Sequence, residues 1–196
     1  MSSHHFVKEG QEPALFILES VSIHAVEPLL EWVPLIMVAD HMLETIIPWG
    51  IKIDVVIQHE YSFETLKEVV KDQEPIQILS AHNDILLAGL QFLIQNKNSS
   101  VNIICTPTEE ILSKIENVGH SLQVDVYDEK EKWSLVVTGN FEKWLPAGAV
   151  IAIKQSQDSF FHTEGLTHTE GKHWKAASAG LIKIKAGSPF WVAEEV

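Results

Sequence analysis

The chain has a single cysteine, Cys105, so no intrachain disulfide can form. Its apolar flank of Val101, Ile103 and Ile104 marks a buried thiol, and one unpaired thiol fits a reducing cytoplasm. Positive charge is scarce. Fourteen basic residues face 27 acidic ones, a formal net charge of -13, which argues against nucleic acid or an anionic membrane as a partner. No apolar run reaches the ~18 residues that span a bilayer. The start, Met-Ser-Ser-His-His, has no apolar signal segment, so the expected compartment is the cytoplasm. The glycine-rich Walker and dinucleotide patterns are missing, as is any Cys/His zinc spacing. There is no internal repeat and no low-complexity tract.

What is present is ordinary globular material. The 196 residues allow one large domain or two small ones, and 45% hydrophobic content supplies a sizeable core. Ten histidines soften the negative charge below about pH 6.5. Short apolar runs at 14–18, 35–39, 54–57, 76–79 and 101–105 read as buried strands. Helical patterns lie between them. Ser22 caps one that runs to about Trp32, and 41–49 forms a short one stopped by Pro48 and Gly50. Ser62 precedes another as N-cap, and Asn83 or Asp84 opens a long apolar helix. Thr106 as N-cap with Pro107 at the first helical position starts the last. Strands alternating with helices predict a parallel sheet.

Near Gly119 the pattern changes. Residues 122–127, 133–138, 149–153, 180–185 and 189–193 read as strands separated by turn residues. The expected fold class is α/β: a Rossmann-like parallel-sheet domain over 1–118, then a small all-β sandwich over 119–196. The stretch 51–62 is the pivot. Ligands of open α/β sheets bind beyond the carboxyl ends of the strands, which puts a site at Gln58 to Ser62.

An α/β half followed by an all-β half resembles the thiamine pyrophosphokinase family over nearly the whole chain. The likeness rests on Val38-Ala-Asp40, on Trp49-Gly-Ile-Lys-Ile-Asp-Val-Val-Ile57, and on Asn83-Asp84 opening a helix. Glu164-Gly-Leu166, Gly180-Leu-Ile-Lys-Ile184 and Phe190-Trp-Val-Ala-Glu194 are similar to the family's closing strands. The resemblance implies transfer of pyrophosphate from ATP to thiamine, with Mg²⁺, in a homodimer. It implies nucleotide contacts at Asp40, Ser62, Asn83 and Asp84, and metal ligation or catalysis at Asp40 and Asp84. It also implies a thiamine site at Trp174, Ser178 and Trp191.

The departures fall where that chemistry sits. Gln58-His-Glu-Tyr-Ser62 stands in place of Gly-Asp-x-Asp-Ser, and only the serine matches. Ser80-Ala-His-Asn-Asp84 stands in place of Lys-Asp-x-Thr-Asp, and only the last aspartate matches. The segment 105–113 has neither the glycine-rich loop nor the Arg-Leu-Asp-His that follows it in the family. Phosphoryl transfer depends on positioning and charge neutralisation, and Mg²⁺ takes hard oxygen ligands. The expectation is therefore a divergent member that binds thiamine, a thiamine phosphate or a nucleotide with little or no turnover. Two alternatives stay open: an active enzyme with a rebuilt metal site, and a non-catalytic dimeric scaffold. A replacement Zn²⁺ site from His59, Glu60 and His82 is a further candidate. The histidine-rich run His162 to His173, with Gly165 and Gly171, reads as a solvated mobile loop.

Overall fold

A computed structural model describes residues 12–31, 34–81, 83–155 and 159–196. Trp32 and His82 lie outside these. The chain divides into two compact units. The first runs through Thr106 and includes Ser121–Glu129, and the second takes Pro107–His120 and Lys130–Val196.

Among the described residues the first unit carries β1 (Ala14–Ile17), β2 (Ile36–Ala39), β3 (Val55–Gln58), β4 (Gln77–Ser80), β5 (Ser100–Ile104) and β6 (Gln123–Tyr127). All pair in parallel, in the order β6-β5-β1-β2-β3-β4. Strands β1 (Ala-Leu-Phe-Ile) and β2 (Ile-Met-Val-Ala) are buried at every position, as continuous apolar runs with two covered faces are. The edge strand β4 is the most open of β1 to β4. The alternation in 122–127, expected to belong to the all-β half, belongs instead to β6, which extends the parallel sheet beside β5. Alternation marks a strand with one open face and says nothing about the direction of its neighbour.

The helices are capped where polar side chains precede apolar runs. Ser22 accepts from the His24 amide at the start of α1 (Ile23–Leu30). A short α2 (Leu43–Ile46) sits between 3-10 turns and ends at Gly50, whose φ of 70° is the left-handed region. Ser62 accepts from the Thr65 amide at α3 (Phe63–Val69), and Asp84 accepts from Leu87 at α4 (Ile85–Gln95). The last helix departs from expectation. Its cap is Thr108, not Thr106, and α5 runs Glu109–Glu116. Thr106 is held elsewhere: its amide and hydroxyl both donate to Glu19 Oε2, at 2.7 and 2.6 Å. The same capping chemistry is supplied two residues later.

The second unit contains α5 and two antiparallel sheets. One has the order β11-β12-β9-β14-β7 and the other β10-β13-β8. The strands are β7 (Glu131–Val136), β8 (Asn140–Leu145), β9 (Val150–Gln155), β10 (Phe161–Glu164), β11 (Leu166–His168), β12 (His173–Ala176), β13 (Gly180–Ala186) and β14 (Phe190–Glu195). Leu145, Ile151, Ile153, Ile182, Ile184 and Phe190 form their shared core. The run His162 to His173, expected as a mobile loop, is instead built into β10, β11 and β12. The His168 ring meets Trp174 edge-on at 4.9 Å, and its Nε2 lies 2.9 Å from the Gly171 carbonyl oxygen. Polar alternation with few β-branched residues hid these strands.

Two features of the first unit can be tested directly. Gly89 on α4 faces Phe16 of β1, and a Cβ there would lie 2.6 Å from Phe16 Cζ. Phe16 is wholly buried and has nowhere to move. Gly89→Ala is expected to lower stability by about 1–3 kcal/mol in urea unfolding, the range for overpacked cores. The Cys105 thiol is pushed up to about 12, first by burial and then by the charges of Glu19 and Asp128. Since only the thiolate reacts, Cys105 is expected to resist a disulfide reagent at pH 8 in the folded protein. It should react promptly once guanidinium unfolds the chain.

Candidate functional site

The order β6-β5-β1-β2-β3-β4 reverses direction between β5 and β1, and ligands of such sheets settle beyond the carboxyl ends near the reversal. Here that crevice is bridged. Glu19, just past β1, holds Thr106, just past β5, through the pair of hydrogen bonds described above. The Leu18 and Glu19 amides both donate to the Ile104 carbonyl. His41 Nε2 lies 3.0 Å from the Leu18 carbonyl oxygen and so donates there. Glu19 is a site residue that sequence reasoning missed. A glutamate two residues past a buried strand was the available signal.

Asp40 follows β2 and its side chain is wholly buried. Its Oδ2 accepts three backbone amides in succession: His59 at 2.8 Å, Glu60 at 2.7 Å and Tyr61 at 2.8 Å. Hydrogen bonds to a charged group contribute about 1.5–3 kcal/mol each, so this carboxylate is a principal anchor of the turn after β3. Its Oδ1 is buried with no hydrogen-bond partner and faces His41 Nδ1 at 3.9 Å. Gln58 fixes the same turn from its other side, donating to the Tyr61 carbonyl and accepting from Ser80 at the end of β4. The Tyr61 hydroxyl leans on Glu44 at 3.4 Å. The Glu44 charge is the leading cause that holds the Tyr61 phenol above its usual range.

The other expected nucleotide contacts have local structural work. Ser62 caps α3, and its hydroxyl lies 2.9 Å from that of Thr65. Asp84 Oδ1 caps α4 at 2.9 Å from the Leu87 amide, and Asn83 is exposed beside it. Asp40 follows β2 and Asp84 follows β4, with β3 between them. Asp40 thus serves the turn after β3, while Asp84 serves the start of α4. Among the described residues no three His, Cys, Asp or Glu side chains gather as metal ligands. His59 and Glu60 are exposed. Among the described residues no third acidic or histidine side chain joins Asp40 and Asp84 in one magnesium-ligating group.

In the second unit, register decides what Trp174 and Trp191 can share. Trp174 pairs with Ile151 and Trp191 with Lys154, both on β9. Positions three apart on a strand face opposite sides, so the two indoles lie on opposite faces of their sheet. Trp174 is half-buried between Phe161, at 5.6 Å, and His168. Trp191 is wholly buried, and its indole N–H donates to Glu116 Oε1 at 2.6 Å. Ser178 is exposed in the turn after β12. On the Trp191 face, α5 and β9 border a groove of about 440 Å³ lined by Glu109, Glu110, Ser113, Glu116, Lys154 and Gln155. Lys154 is its one cation, and it is paired to Glu109 at 3.3 Å. The first turn of α5 presents carboxylates where helix polarity would otherwise favour an anion.

No protein-family model matches the sequence, and no curated protein matches it. Solved structures do. Thiamine pyrophosphokinase from Bacillus subtilis superposes with a TM-score of 0.70 at 9% identity, over 93% of this chain and 99% of that one. The Candida albicans enzyme gives 0.74 at 7% identity, over 95% and 89%. The yeast enzyme gives 0.67 at 9% identity, over 95% and 87%. The resemblance read from the residue pattern is a resemblance of architecture over nearly the full length. The chain has the fold of the thiamine pyrophosphokinases.

Proposed function

We propose that this chain uses the thiamine pyrophosphokinase fold to bind thiamine or a thiamine phosphate and does not transfer pyrophosphate. The observation that carries the reading is Asp40. Its Oδ2 is taken up by three backbone amides, and the side chain is closed to solvent. A carboxylate so held is a poor ligand for a hydrated Mg²⁺, which keeps most of its waters and needs open oxygens.

Charge supports the same reading. All 14 basic residues are lysine, so the chain has no arginine to clamp a transferring phosphoryl group. The helix after β5 begins with Glu109 and Glu110. A net charge of -13 favours a cationic ligand such as thiamine over ATP. Trp174 keeps part of its indole open, and an indole face suits a thiazolium ring. A nucleotide complex with Mg²⁺ finds no comparable support.

Purified protein with ATP, thiamine and Mg²⁺ or Mn²⁺ is expected to form no thiamine diphosphate by chromatography. Product that vanishes in an Asp84→Ala variant would overturn the reading and make the protein an enzyme with a rebuilt site. Thiamine is expected to raise the melting temperature saturably, and Trp174→Ala to remove that shift. At 100 times Kd a ligand adds about 2.7 kcal/mol. A flat response to thiamine and its phosphates leaves a scaffold.

One observation favours subunit assembly alongside binding. Trp144 and Leu181 are cross-strand neighbours on β8 and β13, yet they are 62% and 53% exposed. An exposed aromatic–aliphatic pair beside the open edge of β8 suits a second copy of the chain. Sedimentation is expected to give a dimer, with Trp144→Ala shifting the balance toward monomer. A wild-type monomer at high concentration would remove this reading.

A further inference from the structure

The amides of His59, Glu60 and Tyr61 converge on one point, each 2.7 to 2.8 Å from the same oxygen. Successive backbone N–H groups aimed inward are the way a turn binds a free anion. The anion here belongs to the chain. We propose that the His59–Tyr61 turn is an anion-binding nest filled by the Asp40 carboxylate, which closes it to phosphate and, once truncated, leaves room for a free small carboxylate.

Three observations carry this. The turn supplies all the hydrogen bonds that the Asp40 carboxylate has: Oδ1 has no donor, and its neighbour His41 Nδ1 stands off at 3.9 Å. The side chain is wholly buried, so the carboxylate fills the space in front of the three amides and excludes a second anion. The surroundings repel an incoming phosphate as well. Glu60 is part of the turn, and Glu44 touches the Tyr61 hydroxyl. The raised Tyr61 phenol reports the same negative field, with Glu44 first and Asp40 and Glu60 contributing.

The inference shares the Asp40 geometry with the proposed function, but its test reads occupancy of the nest and not turnover. The test is chemical rescue. Asp40→Gly is expected to melt below the wild type in sodium chloride and to regain melting temperature saturably in sodium formate at equal ionic strength. The wild type is expected to show no difference between the two salts. Asp40→Asn keeps an acceptor oxygen in the nest, so it too should ignore formate. In the wild type, pyrophosphate should leave the amide resonances of His59, Glu60 and Tyr61 unmoved. If Asp40→Gly is unfolded in chloride, the comparison is read as refolding yield, and formate must restore it. Failure of formate to act on the glycine variant overturns the proposal. So does an equal formate effect in the asparagine variant, or a pyrophosphate-induced shift of those three amides.

Discussion

One carboxylate oxygen organises the carboxyl side of the parallel sheet. Strand β3 ends at Gln58, and the chain must turn at once to start α3 at Phe63. A turn that tight leaves backbone amides with no strand or helix partner, and burying them unpaired costs about 1–3 kcal/mol each. Asp40 Oδ2 satisfies three in a row. Ser62 then takes over as the cap of α3, and Gln58 ties the turn to Ser80. Moving this side chain would leave all three amides without their acceptor together.

The same trade recurs along the sheet edge. Glu19 spans from β1 to β5 by holding Thr106, and Asp84 spends an oxygen on the start of α4. Acidic side chains that could face a metal face the chain's own N–H and O–H donors instead. On α5, Glu110 pairs with Lys114 at 2.7 Å and Glu109 with Lys154. Carboxylates used as caps and ion pairs stabilise elements locally, by about 1 kcal/mol for an N-cap and less for an exposed pair.

The fold was legible because it is written in the strand interiors. Val55-Val-Ile57 and Val101-Asn-Ile-Ile104 declare buried parallel strands whatever lies at their ends. Strands β8, β10, β11 and β12 were not legible. Asn140-Phe-Glu-Lys-Trp-Leu145 and the histidine-rich run are polar and largely exposed, so no apolar period marks them. At the candidate site, the residue types of Asp40, Ser62 and Asp84 were readable but their partners were not. That Asp40 bonds to amides 19 to 21 residues away depends on β2 and β3 lying side by side, which is tertiary information. Trp191 shows the same limit. Its position in the last strand is plain, but only the register against β9 places it opposite to Trp174.

Core and strand ends answer to different constraints, and this explains how the architecture persists at identities of 7–9% to the solved enzymes. The core needs apolar volume at alternating or continuous positions, and many sequences supply it. The strand ends need particular groups in particular places only while chemistry is performed there. Polar residues at the ends can otherwise serve the backbone. Asp40, buried and accepting three amides, is a polar residue that serves the backbone in this way. It holds the turn more firmly than a carboxylate left open for a metal, because an open carboxylate keeps its water and leaves the turn amides to find other partners. Strength at the turn and openness to phosphate are thus alternatives for this one side chain, and the geometry has taken the first.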